Sequence, residues 1–378
     1  MTCFERWEPR AVHEAGRYDE CVLNRGDEAH EFIAEYFQEK HVLMIAGAGF
    51  DPRACVAAQQ MINSGATLDL VLIKEERPSP SDELESAAQA NLQSFLAVVP
   101  QLSVVDIRVF DDDGALVGGR RTAAKVQELS LDSVDELVVD ISALSIGTSF
   151  PMIRLLVDRI LDSGLKTNLH ITVAHNPAVD TAIRPIAGDR PGWVHGFSAE
   201  QGVDRDPEPA KLWMPQLAFR GNQELGRIYE FVGPDDTCPI VPFPASDPRL
   251  PDKLTIEFRD ELLEVWEVDS RNLVYADEGD PLDVYRTILR IDDLRRPVFE
   301  SNGGSTIIVS PTGSKLMALG SLIACIERDL PVAYLEAEAY EMDEDATLPD
   351  ANPMLVHLWL EGDAYLNNRP ALRKGSDK

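Results

Sequence analysis

The most constraining feature of this chain is an order of events that repeats along it: a short uninterrupted apolar run, a tight turn, then an amphipathic stretch of helical period. Residues 41–46 form the first such run. The turn Gly47-Ala48-Gly49-Phe50-Asp51-Pro52-Arg53 follows it, and residues 54–62 continue with helical spacing. Gly65 closes that helix, residues 68–73 form a second buried strand ending at Lys74, Glu75 and Glu76, and Ser81 caps a helix over 81–96. A strand at 103–109, an Asp- and Gly-rich turn at 111–119, the most apolar strand at 135–141, a helix at 150–161 and a strand at 169–174 complete the series. Apolar runs without alternation are strands buried on both faces, and strands that alternate with helices pair in parallel through crossovers. The fold class that follows is α/β.

The same plan returns later. Residues 176–215 are rich in Pro, Gly, Asp and Trp and lack a period, which predicts an irregular connection; Trp193, His195, Trp213 and Arg220, in or beside it, could line a lid or interface or simply fill a core. Beyond it the pattern predicts helices at 222–230, 256–265, 281–291 and 314–328 and strands at 239–243, 272–275, 305–310 and 331–336. The expected organisation is a helical arm over 1–40, a Rossmann-like lobe over 41–180, the connection over 181–215, a second α/β lobe over 216–341, and an acidic segment with a polar tail over 342–378. Both lobes should carry mostly parallel sheets flanked by helices.

Charge narrows the partners. Against 35 Lys and Arg the chain sets 65 Asp and Glu, a net charge of −30. Such a field repels nucleic acid and anionic membrane, so general nucleic-acid binding is not expected and any anion must be held by a local pocket. The first ten residues do not read as a signal peptide, and no apolar run approaches the roughly 18 residues of a membrane span. A cytoplasmic location is expected. The five cysteines are scattered without a CxxC pair, and the histidines form no HExxH cluster, so no metal site is expected.

Three turns at predicted strand ends carry candidate ligand-binding residues. In Ser310-Pro311-Thr312-Gly313-Ser314-Lys315 a buried strand hands over to a helix, where backbone N–H groups and the helix dipole favour an anion. Gly313 would let a ligand approach, Ser310, Thr312 and Ser314 offer hydroxyls, and Lys315 a charge. The ordinary reading is an N-cap by Ser314 with Lys315 in water. The turn is not a Walker A loop, because Leu316 follows the lysine. In the turn after residue 46, Gly47 and Gly49 allow close approach of a ligand, while Asp51 and Arg53 could equally pair with each other. In the third, Ser142, Ser145 and Thr148 are candidate donors with Arg154 as charge partner, or simply a polar loop capping the next helix. Ligands of open parallel sheets bind beyond the carboxyl ends of the strands, so the turns could share one crevice.

The stretch from Gly304 to Tyr340, including SPTGSKLMALGSLIACIERDLPVAYLEAEAY, resembles the last strand, turn, helix and strand of CRISPR-associated Rossmann-fold (CARF) and SAVED sensor domains. That resemblance implies a nucleotide second messenger at the Gly313-Ser314-Lys315 turn and a place in antiviral defence. The run GAGFDPR is similar to the first motif of class I methyltransferases, which implies S-adenosylmethionine as cofactor, with Glu75 or Glu76 at the ribose. No catalytic signature follows the strand ending at Asp140, and no catalytic residue is assigned. The expected function is therefore a non-catalytic sensor. It would bind a phosphate-bearing, nucleotide-type small molecule and transmit occupancy to a protein partner or within a homo-oligomer. The alternatives are a methyltransferase-like enzyme and a structural subunit of a defence complex.

Overall fold

The run opening at His41 becomes an inner strand of a seven-stranded sheet in the computed structural model, which describes residues 21–78, 80–99, 102–188, 190–199, 208–342 and 353–368. Across the sheet the strands lie in the order Leu23–Arg25, Met354–Glu361, Asn168–His175, Glu136–Asp140, His41–Gly47, Thr67–Glu76, Leu102–Arg108. The last five of these pair in parallel, whereas Met354–Glu361 runs antiparallel to both of its neighbours. From His41–Gly47 the chain first builds outward through 67–76 and 102–108, then returns to the other side of the starting strand with Glu136–Asp140. The strand order therefore reverses beside Gly47, and an open α/β sheet forms a crevice at such a reversal.

A second, smaller sheet runs parallel in the order Asp236–Thr237, Ala210–Pro215, Ser305–Ser310, with Ile240–Pro242 and Val274–Ala276 forming a separate parallel pair. One apolar core joins the two sheets. It passes from Val139, Ile171 and Leu358 through the helices Ile146–Ser163 and Lys315–Arg328 to Met214 and Val309. The outer face of the first sheet buries Phe37, Met61 and Phe95, and the outer face of the second buries Trp213, Phe258 and Trp266. The helix Lys315–Arg328 has almost no polar face because it is sandwiched. Gly320 is required in it, since a Cβ there would collide with Pro281 O and Val284 of the neighbouring helix Pro281–Phe299.

Most expected elements fall within a few residues of the observed ones, and the exceptions share a cause. Ala210–Pro215 lies in the middle of the second sheet, where an irregular connection was expected; six residues flanked by Pro and Asp are too short to show a period, and its neighbours in the sheet define it. Met354–Glu361, which the sequence shows only as a short apolar segment, pairs into the first sheet, and the expected arm contributes the edge strand Leu23–Arg25 as well as the helix Asp27–Tyr36. The turn expected up to residue 119 gives way at Gly118 to a helix, Gly118–Gln127. The helix expected over 256–265 is divided into Leu250–Glu257 and a π-helical turn, Glu261–Val265, and the last expected strand shrinks to Ala333–Tyr334. The acidic run at 343–345 lies outside the described residues. Among the described residues no helix is long and apolar enough to cross a membrane.

Candidate functional site

At the strand-order reversal a cavity of about 980 Å³ opens beyond the carboxyl ends of the first sheet. All three candidate turns reach it. Gly49, Asp51, Arg53, Ser142, Ser145, Thr312, Gly313 and Lys315 line it, whereas Gly47, Thr148, Ser310, Ser314 and Arg154 do not.

Gly47 serves packing. A Cβ there would overlap the carbonyl of Ala143, so glycine is what allows this turn to touch the one that follows Asp140. Asn91 donates to the carbonyls of Gly49 and Asp51, at 2.8 Å each, and holds the loop in place. Arg53 is buried and fully engaged: Nε and Nη2 reach Asp51 at 2.9 and 2.7 Å, and Nη1 reaches Asp180 at 2.7 Å. Burial alone would favour loss of its proton, but the two carboxylates outweigh it and keep the guanidinium charged. This pair is a brace that ties the turn to the helix Pro177–Ala182.

The turn after Asp140 is also internally bonded. Asp140 accepts from Ser142 N at 3.0 Å, Ser142 Oγ at 3.1 Å and Thr172 Oγ1 at 2.8 Å, while Ser142 Oγ itself accepts from Ala174 N at 2.8 Å. Burial raises the Asp140 carboxyl to about 6 despite those bonds. The Ser145 N–H donates to Glu75 Oε1 at 2.9 Å and its hydroxyl to Thr148 Oγ1 at 3.3 Å. Arg154 is on the far side of the helix, paired with Asp329 and stacked on Phe197.

In the turn from Ser310 to Lys315 the protein supplies its own partners. Gly313 N donates to Gln216 Oε1 at 3.2 Å, Thr312 Oγ1 to Gln216 O, and Ser314 Oγ accepts from Met317 N at 3.3 Å as the expected N-cap. Ser310 is fully buried between Trp213 Nε1 and the carbonyl of Ala333. Lys315 does not turn into bulk water. Its ammonium donates to the carbonyl of Leu144 across the crevice, and burial lowers its proton affinity while Asp51 raises it.

One cluster was not anticipated. Arg77, just beyond the second strand, donates through Nη2 to Glu75 Oε2 and to Glu336 Oε1, both at 2.8 Å, through Nη1 to Ala337 O, and lies 5.0 Å from the ring centre of Tyr340. Phe50 also packs against that tyrosine, ring centres 5.3 Å apart. Among the described residues the second oxygen of Glu336, a buried residue, has no hydrogen-bond partner. Glu224, from the first turn of the helix Asn222–Val232, also lines the cavity. Burial, with Glu336 alongside, raises Glu224 to about 8. Burial likewise raises Glu336, whereas Arg77 overcomes burial at Glu75 and lowers it. The sequence held only a faint signal for this cluster: two carboxylates, Glu75 and Glu336, inside or at the end of apolar strand-like runs. Of the four residues singled out in the irregular connection, none lines the cavity, and Trp213 is wholly core.

No family model and no curated protein matches the chain. Solved structures do. The glycopeptide N-methyltransferase MtfA, complexed with S-adenosyl-L-homocysteine, is 15% identical with a TM-score of 0.21 over 47% of this chain and 60% of its own. MNMC2 from Aquifex aeolicus is 15% identical with a TM-score of 0.21 over 43% and 52%. A universal stress protein from Archaeoglobus fulgidus is 10% identical with a TM-score of 0.21 over 78% and 96%. The chain thus spans about half to three fifths of the first two of these structures.

Proposed function

We propose that the crevice binds a nucleoside-type small molecule of neutral or positive charge, with S-adenosylmethionine as the member of that class to try first. The observation that carries this reading is the charge of the wall. Nine carboxylate residues line the cavity against five cationic ones, and four of the five, Arg53, Lys74, Arg77 and Arg108, already pair with carboxylates. The backbone amides that an anion would need, those of Gly313, Met317 and Ser145, are bonded to Gln216, Ser314 and Glu75. A phosphate placed here would meet repulsion without a cradle. A sugar hydroxyl fares better: carboxylates at the end of the second strand of a Rossmann unit accept from ribose, and Glu75 and Glu76 stand there. Phe50, Ile73, Leu84, Tyr334 and Tyr340 provide apolar and aromatic wall for a base.

Thermal melts test it. S-adenosylmethionine at a hundredfold excess over its Kd should stabilise by about 2.7 kcal/mol, a rise of a few degrees, with ATP giving none. No shift with S-adenosylmethionine, S-adenosylhomocysteine or adenosine would end this reading.

A second reading is favoured by one residue. The Lys315 ammonium reaches across the crevice from a helix start, and it would be the anchor of a phosphate-bearing nucleotide signal passed on to a partner, as the CARF resemblance implies. On that reading ATP or a cyclic dinucleotide raises the melting temperature, and Lys315→Ala removes the rise.

A further inference from the structure

We infer that two exposed helix faces on opposite sides of the smaller sheet, one acidic and one basic, are the two halves of a head-to-tail contact between copies of this chain. The contact is independent of what the crevice binds. Among the described residues the four most exposed large apolar side chains are Ile256 at 75%, Leu294 and Val298 at 66% each and Leu263 at 63%. They fall two and two. Ile256 and Leu263 belong to the segment made of the helix Leu250–Glu257 and the π-helical turn Glu261–Val265, whereas Leu294 and Val298 belong to the last two turns of the helix Pro281–Phe299.

Both faces follow from the way the second sheet is covered. In the first segment Leu254, Phe258, Leu262 and Trp266, four residues apart, are buried against Trp213, Val241 and Ile308. Helical spacing then leaves Ile256 and Leu263 on the side away from that core. In the helix Pro281–Phe299, Leu282, Tyr285, Ile288 and Leu289 share a core with Leu212, Met214, Ile307 and Val309, and beyond Asp292 no residue of the helix is buried. Leu212 and Met214 alternate with Trp213, and Ile307 and Val309 with Ile308, so the two helical segments cover opposite faces of one sheet. A single molecule cannot bring its own two faces together. A second copy can.

Charge makes the faces complementary. Residues 250–267 set Asp252, Glu257, Asp260, Glu261, Glu264 and Glu267 against Lys253 and Arg259, and Lys253 is already taken by Asp247 at 2.7 Å. Among the described residues Asp260, Glu264 and Glu267 make no ion pair. The other face is the reverse. Arg286, Arg290, Leu294 and Val298 follow one another at intervals of four, which places them along one ridge of the helix. Among the described residues neither of these arginines has an ion-pair or hydrogen-bond partner, while Asp283, Asp292 and Asp293 of the same helix are engaged by the Asp277 N–H, Arg296 and Arg328. On a chain of net charge −30 an unpaired basic face is the exception, and the acidic, apolar surface that suits it is present on the same molecule. Burial of the aliphatic pairs supplies the attraction and charge selects the partner and its orientation, because a solvent-exposed ion pair contributes little by itself. A contact between two different surfaces leaves one of each unfilled at its ends, so it repeats from copy to copy.

Sedimentation velocity on the full chain tests the contact, at about 100 μM protein and about 0.15 M salt, where repulsion between copies is screened beyond about 8 Å. The average mass should exceed that of the monomer and rise with concentration. The double variant Leu294→Gln/Val298→Gln removes the aliphatic pair of the basic face, and Ile256→Gln/Leu263→Gln that of the acidic face. Each should be monomeric, and each should melt within a few degrees of the parent because the replaced side chains are exposed. An equimolar mixture of the two should give a species of twice the monomer mass and nothing larger, since the intact acidic face of one variant meets the intact basic face of the other. Arg290→Glu, which keeps both aliphatic pairs, should weaken self-association about tenfold. A parent protein that stays monomeric, self-association that survives either double variant, a mixture that remains monomeric, or Arg290→Glu associating as tightly as the parent overturns the proposal.

Discussion

The two ends of the first sheet both bury charge, and they do it in opposite ways. At the amino end Glu136 is surrounded by donors: Lys40 Nζ at 2.6 Å, Tyr36 OH at 3.0 Å, His170 Nε2 at 3.0 Å and Asn168 Nδ2 at 3.2 Å. His170 passes the chain on to His357 at 2.9 Å, and His357 to Asn24 at 3.2 Å. Phe32 and Trp359 pack against these rings. At the carboxyl end the carboxylates of Glu75, Glu336 and Glu224 outnumber the single guanidinium, and a cavity adjoins them. Strong perturbation of an acid or base therefore does not by itself mark a ligand site in this protein. The amino end is closed and satisfied, which is the signature of a structural network; the carboxyl end is unbalanced and open, which is that of a site.

The largest test of this contrast is Glu136→Ala. It strands a buried histidine, a tyrosine and an amide without an acceptor and should cost about 3–5 kcal/mol in denaturant unfolding, with no effect on ligand affinity where the variant stays folded. Arg77→Ala should cost about 3 kcal/mol at pH 7, because Glu75 and Glu336 then face each other unpaired. Lowering the pH to 5 should recover part of that loss, since protonation removes the repulsion. A loss unchanged by pH would mean that Arg77 acts by packing alone. Gly147→Ala places a methyl group against Glu336 and should cost about 1–3 kcal/mol while shifting the crevice's affinity, whereas a variant with parental stability and binding would show that Glu336 can move aside freely.

The pH dependence of stability is the most diagnostic test. His170 and His357 are held neutral by burial, their proton affinity lowered, so the unfolded chain binds protons that the folded one refuses and stability falls as the pH drops below about 6.5. Glu224 is raised from 4.5 to about 8, so its proton is retained in the folded protein and lost in the unfolded one, and stability falls as the pH rises through that interval. The melting temperature followed from pH 5 to 9 should therefore show both flanks. Glu224→Gln should flatten the alkaline flank only, its advantage over the parent widening up to about pH 8. Flattening of the acid flank instead would reverse the roles assigned to the two ends.

Local pattern carried the α/β alternation, the caps at Ser81 and Ser314, and the three turns that meet at the crevice, because a buried strand, a cap and a glycine turn are written in adjacent residues. The pairing of Asp51 with Arg53 was legible as an alternative for the same reason, being only two residues apart. The strand Met354–Glu361 was not, since nothing near it in the chain states that it returns to pair with Asn168–His175. Nor was Glu336 meeting Arg77, 259 residues away.

What the sequence determined by itself was thus the fold class, the acidic balance and the turns from which a site could be made. The tertiary structure alone decided which of those turns keep their polar groups occupied and where carboxylates gather without enough partners. Hydrogen-bond satisfaction and desolvation depend on which groups come together in space, and here the deciding contacts join strand ends and helix starts hundreds of residues apart.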